Sequence, residues 1–202
     1  MPRRYDPDRR RRIVDAAVTV VAERGIAGLS HRAVAAAADV PLGSTTYHFA
    51  DRDELLTAAL ERINDAWLTR FAALLDAVDP ARPPTEALAG ALADHLGDCL
   101  GPHRADTELA YELYFAGLRR PALRPLAADC VDRMTGLLPR RAVPDGATAR
   151  ALIAAADGML IHFLLTERPY DPGEARATFA RLLTGGGLSG IGTGSHGGAP
   201  TR

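Results

Sequence analysis

Glu108, Tyr111, Glu112 and Phe115 recur at three- and four-residue intervals, so in a helix they fall along one face. Carboxylates mixed with aromatic rings suit a cationic or hydrogen-bonding ligand, through charge pairing and the contact of a cation with a ring face. The same mixture would equally suit a wet helix edge. His95 and Cys99, four residues apart, could supply two metal ligands, but no adjacent pair completes a set. No metal or cofactor is expected. The chain has no glycine-rich phosphate loop, no HExxH and no GxSxG, and its six histidines are scattered, so enzyme chemistry is a poor reading. A different chemistry lies in Pro41-Leu42-Gly43-Ser44-Thr45-Thr46, which is short, slim and rich in hydrogen-bonding groups. A helix of this kind buries little, but it makes a good probe of a nucleic-acid groove.

The whole chain sets bounds on these sites. Its 202 residues are 47% hydrophobic and 24% charged, enough to build a core without metal or disulfide support. The formal net charge of −1 makes the molecule no polycation, so attraction to DNA has to be local. Every basic residue is arginine; lysine is absent. Cys99 and Cys130 lack metal or redox spacing and read as two reduced thiols of a cytoplasmic protein. The basic, apolar start imitates a secretory signal, but Asp15, Thr19 and Glu23 interrupt it and no cleavage site follows. No apolar run reaches the ~18 residues of a membrane span, so no membrane partner is expected.

Hydrophobic periodicity and capping residues predict an all-α chain of about nine helices. Asp6 and Pro7 start the first, Ile13, Ala17, Val20 and Val21 line one face, and Gly25 supplies a left-handed stop. Arg9 to Arg12 place a basic run at its start, against the helix dipole, which is either a solvated helix end or a phosphate contact. Ser30 caps a second helix whose inner face is Val34, Ala35 and Ala38; Asp39 and Val40 make a turn into the helix near Leu42. Phe49 plugs the unit. Asp51 and Glu54 form a capping box that opens a long helix through Leu74. Further helices are predicted from Thr85 to Leu100, Asp106 to Leu118, Pro121 to Leu138, Ala147 to Glu167 and onward from a second box at Asp171 and Glu174. The glycine-rich residues 185–202 read as a disordered tail.

The helix IVDAAVTVVAERG, the Ser30…Val34-Ala35 helix, and VPLGSTTYHF followed by ADRDELL have the order and spacing of a known unit. Residues 9–60 resemble the N-terminal DNA-binding domain of the TetR family of bacterial transcriptional regulators. The chain departs from the family pattern at four positions: Asp39 stands where Gly is usual, Pro41 where Ser is common, Thr46 where Tyr is frequent, and Arg52 in place of Lys. The resemblance implies a three-helix helix-turn-helix domain over residues 1–50 and a larger helical effector-binding and dimerisation domain over residues 51–184.

On this reading Ser30, His31, Arg32, Leu42, Gly43, Ser44, Thr45, Thr46, Tyr47, His48 and Arg52 meet double-stranded DNA. Ser44 and Thr45 face base edges or backbone, Leu42 packs on a thymine methyl, and Arg32 can read guanine. His31, Tyr47 and His48 reach phosphates, which position the protein without conveying sequence. The body would hold a small-molecule pocket, with Trp67, Phe71, His95, Cys99, Glu108, Tyr111, Glu112, Tyr114, Phe115, Asp157 and His162 as candidates. For each of these the rival role is core packing or a surface charge. The last two helices carry more apolar surface than a monomer would expose, and the family pairs them into a four-helix homodimer seam. The expectation is a repressor, bound to a palindromic operator as a homodimer and released by an effector; the alternative is a ligand-independent DNA-binding protein of the same fold.

Overall fold

The computed structural model describes residues 8–185. Among these the chain forms nine α-helices and no strand. They are α1 (Arg9–Gly28), α2 (His31–Ala37), α3 (Leu42–His48), α4 (Arg52–Asp76), α5 (Pro84–Leu100), α6 (Arg104–Arg119), α7 (Arg124–Leu137), α8 (Gly146–Thr166) and α9 (Pro172–Leu183). The predicted start at Asp6 and Pro7, and the tail after Gly185, lie outside the described residues.

Three helices make the N-terminal unit. Ile13, Ala17, Val20 and Val21 of α1 are buried against Val34 of α2, Phe49, and Leu55 and Leu56 at the start of α4. Phe49 is thus the apolar plug its sequence position predicts, and the Arg10 guanidinium lies 5.2 Å from its ring centroid. Asp39 turns the chain between α2 and α3 with φ of +51°, a left-handed conformation Asp tolerates better than most residues. Gly25 has φ of +66°, as a left-handed stop requires, yet it does not end α1. The chain kinks there and completes one more turn through Gly28.

Side chains cap the helices where the sequence places them. Ser30 Oγ accepts from the Ala33 amide at 3.2 Å, and Asp51 Oδ1 accepts from the Glu54 amide at 2.9 Å. Glu54 reaches back to the Ala50 amide, one residue before the cap. Caps of this kind are worth about 1 kcal/mol each. Three predicted starts differ. Helix α5 begins at Pro84 with no side-chain cap from Thr85, because proline needs no partner for an absent N–H. Residues Pro121–Leu123 form a separate 3-10 turn before α7. Asp171 bonds the Gly173 amide without a reciprocal bond from Glu174.

The body wraps around α4, whose Leu60, Ile63, Trp67, Leu68 and Phe71 are buried. Helix α9 lies along α5, α7 along α4, and α8 touches α5, α7 and α9. Helix α8 is long and apolar enough to cross a bilayer by length and composition, although no uninterrupted run signals this in the sequence. One face, carrying Leu152, Ile153, Ala156 and Leu160, packs into the core, and Leu165 on the other is 78% exposed.

Candidate functional site

Helix α3 is the element shaped to enter a groove, and its orientation follows from how its hydroxyls are satisfied. Thr45 is fully buried; its Oγ1 donates to the Leu42 carbonyl at 2.8 Å and lies 3.5 Å from the His31 carbonyl. Ser44 is also buried. Both were expected to face DNA, and the structure turns both inward, where Thr45 joins α3 to α2. The outward surface is Pro41, Leu42, Gly43, Thr46 and Tyr47, with Tyr47 83% exposed. Gly43 leaves open space where a Cβ would stand, so no neighbouring helix explains it. Arg32 on α2 is exposed beside this surface, while His31 and His48 are half-buried. Two further expected DNA residues are occupied within the fold. Ser30 is the cap of α2, and the Arg52 guanidinium donates to the Ile26 carbonyl.

The second site is an open-mouthed cavity of about 490 Å³ bounded by α4, α6, α7 and α8, within the size range of small-molecule sites. Trp67, Tyr111, Tyr114 and Phe115 supply aromatic walls, and Leu118, Val131, Met134 and Ile161 supply apolar ones. The rings of Trp67 and Tyr111 meet edge to face at 6.0 Å, and those of Tyr111 and Phe115 stack at 6.1 Å. Two carboxylates line the cavity, Asp157 from α8 and Asp132 from α7. Asp157 Oδ accepts from the Tyr111 hydroxyl at 3.0 Å. Burial pushes the Asp157 carboxyl above the usual range, against the opposing pull of the Tyr111 hydrogen bond. Burial, with the Asp157 charge next, pushes the Tyr111 phenol up as well, so it stays a donor. The Tyr114 hydroxyl donates to Asn64 Oδ1 at 2.9 Å, and Asn64 Nδ2 donates to the Leu126 carbonyl at 3.1 Å. The aromatic wall is thereby fastened to α4 and to the start of α7.

Of the expected ligand residues, Trp67, Tyr111, Tyr114, Phe115 and Asp157 come together at this cavity. The others lie elsewhere. Phe71 is fully buried, its ring 4.8 Å from that of His95. His95 Nε2 accepts from Trp67 Nε1 at 3.3 Å, and Cys99 Sγ lies 3.6 Å from the same nitrogen. These three form a packed layer behind Trp67. Burial, aided by Arg70, lowers His95 to about 4 and keeps it neutral, while burial raises the Cys99 thiol to about 11. Glu108 is paired with Arg104 at 2.8 Å on the surface. Glu112 points away from the cavity and accepts from the Ile26 amide of α1. His162 is exposed on the outer side of α8. The sequence strip of Glu108, Tyr111, Glu112 and Phe115 therefore splits, the rings facing the cavity and the carboxylates turning elsewhere. Among the described residues no group of three metal-ligating side chains is gathered.

Comparisons with known proteins fit this two-site geometry. A family profile described as bacterial regulatory proteins, tetR family, matches residues 13–59. A second, described as the tetracyclin repressor-like C-terminal domain, matches residues 83–185. The chain is 52% identical to the multidrug binding protein EbrR solved with imidazole, over 90% of this chain and 93% of that one, with a TM-score of 0.77. EbrR has also been solved with ethidium (52% identity, 88% of this chain and 99% of that one, TM-score 0.75). Its malachite green complex matches with 51% identity over 87% of this chain and 98% of that one, with a TM-score of 0.70. A TetR-family member from Streptomyces coelicolor A3 is 52% identical over 87% and 98% of the two chains, with a TM-score of 0.75. The HTH-type transcriptional regulator PksA of Bacillus subtilis (strain 168) is 36% identical over 66 residues, about a third (32%) of either chain. With profiles matching both halves and half-identical relatives spanning nearly all of its length, the chain belongs to the TetR family of bacterial transcriptional regulators.

Proposed function

We propose that the protein is a cytoplasmic repressor that binds a palindromic operator as a homodimer and releases it when an aromatic cation enters the cavity between α4, α6, α7 and α8. Residues 1–50 read the operator and residues 51–184 sense the effector. The observation that carries the ligand class is Asp157: a carboxylate set into aromatic walls, with only a neutral tyrosine hydroxyl bonded to it. A desolvated carboxylate gains most from a cation, and ring faces attract the same charge. The complexes of EbrR with ethidium and malachite green, both aromatic cations, support the same class. A ligand-independent DNA-binding protein would need no such cavity.

The outward face of α8, with Leu165 exposed, supports pairing with a second copy, which would set two α3 helices about one DNA turn or a small multiple apart. Leu42, Gly43, Thr46, Tyr47 and Arg32 form the DNA-facing surface of each copy.

Fluorescence titration with malachite green, paired with footprinting upstream of the protein's own gene, tests the proposal. The expected result is micromolar or tighter binding of the dye, and a protected palindrome that the dye sets free. An operator held unchanged at saturating dye would overturn it. So would a monomer by light scattering at micromolar concentration.

A further inference from the structure

Ile26 is held from both sides. Its amide donates to Glu112 Oε1 of α6 at 3.1 Å, and its carbonyl accepts from the Arg52 guanidinium at the start of α4. The kink at Gly25 breaks the regular ladder of α1 beside this point. Glu112 also lies against Gly25, since a Cβ built there would stand 3.5 Å from Oε1. Three pieces thus meet at one residue: the end of α1, the start of α4 and the middle of α6. Four residues further on, Ser30 caps α2, on which α3 rests.

The helix that supplies Glu112 to this junction is also a pocket wall. Glu112 directly follows Tyr111 and precedes Tyr114 and Phe115, all of which line the cavity. At the far end of α6, Arg120 pairs with Asp53 of α4 at 2.8 Å, but both side chains are solvent-accessible, so this pair adds little. The Glu112 bond is different in kind, because it holds main chain rather than a side chain and depends on distance and direction. A shift or roll of α6 that carries the carboxylate roughly 1 Å takes the bond outside hydrogen-bonding range.

We propose that Glu112 is the residue through which α6 reports an occupied cavity directly to α1: with the cavity empty it pins Ile26 and holds the reading head in its DNA-binding position, and a ligand against Tyr111 and Phe115 moves α6 and releases it. This rests on the effector reading above, and it places the coupling in a main-chain contact to α1 in addition to the α4 connection.

The test uses full-length protein, its operator duplex and malachite green. Glu112→Ala removes the acceptor; Glu112→Gln keeps a neutral acceptor at the same reach. Glu112→Ala should bind malachite green within twofold of the parent. Its operator affinity without dye should fall about tenfold, towards that of the dye-saturated parent, and added dye should then change it little. Glu112→Gln should recover most of the parent's response. Hydrogen exchange on the parent gives a reading free of any variant: the Ile26 amide should exchange faster once malachite green is bound. Operator affinity and dye response in Glu112→Ala equal to the parent's would overturn the proposal, as would an Ile26 amide whose exchange the dye leaves unchanged. A parent that binds no dye, or binds it without losing the operator, would instead strike the effector reading; Glu112 would still stand or fall by the operator affinity of Glu112→Ala without dye.

Discussion

The Tyr111 hydroxyl donates to the Asp157 carboxylate at 3.0 Å, and this bond joins α6 to α8 across the wall of the cavity. Asp157 is the one acid along the apolar α8, and burial raises its carboxyl above the range of an unfolded chain. A group whose folded pKa is raised contributes stability that is present below the unfolded value and lost as pH rises through the folded one. In the empty protein the ionised form of Asp157 is therefore disfavoured by its burial. Asp157→Asn should melt at a higher temperature than the parent at pH 7 in scanning calorimetry without ligand. An equal or lower melting temperature would contradict this.

The same substitution should weaken malachite green binding about tenfold to a hundredfold, the range expected when a charged partner is lost. For the parent, affinity for the dye should rise with pH through the titration of Asp157, because the cation binds the ionised form. In Asp157→Asn that rise should vanish. Calorimetric titrations between pH 4.5 and pH 8 would show it.

His95 gives a second pH signature in stability, opposite in sign to that of Asp157. Its pKa is lowered to about 4 by burial and by Arg70, so the fold favours the neutral ring that accepts from Trp67. A lowered folded value means stability fully present above about pH 6.5 and lost as pH falls towards 4. The loss should reach on the order of 3 kcal/mol near pH 4. Urea unfolding at pH 7 and pH 5 should show the slope in the parent and a shallower one in His95→Gln.

On the DNA side, exposure separates readers from supports. Tyr47→Ala and Arg32→Ala should each weaken operator binding roughly tenfold, in the range of one lost polar contact, with melting temperature unchanged. Ser30→Ala should instead cost about 1 kcal/mol of stability through the lost cap. Thr45→Val removes a buried hydroxyl that donates to the Leu42 carbonyl, and it too should be seen first in unfolding curves. Fluorescence anisotropy with operator duplex, beside thermal melts, distinguishes the two groups.

These assignments mark how far the sequence could be read. The helix order, the left-handed Asp39, the Phe49 plug and the Asp51 cap were legible, because each follows from local residue chemistry. The inward turn of Ser44 and Thr45 was not. A seven-residue helix has too few positions for a periodic signal, and hydroxyls can satisfy themselves on the preceding turn, so polarity there does not imply exposure. Asp157 was legible as an acid in an apolar helix. Leu118, Val131, Asp132, Met134 and Ile161 were left out of the expected lining, because nothing local separates a cavity wall from core or surface. Glu112 was misassigned for a simpler reason: its partner Ile26 lies 86 residues away in the chain.

The cavity carries apolar residues out to its mouth, with Phe115 52% exposed, Leu118 69% and Val131 41%. An entrance already open and greasy imposes no wait for a gate, so capture of an aromatic cation should proceed at the rate of encounter. The time the sensor takes to forget a ligand would then be set by escape from the aromatic walls and the carboxylate. Duration of derepression, rather than its onset, is the property that changes in this lining would tune.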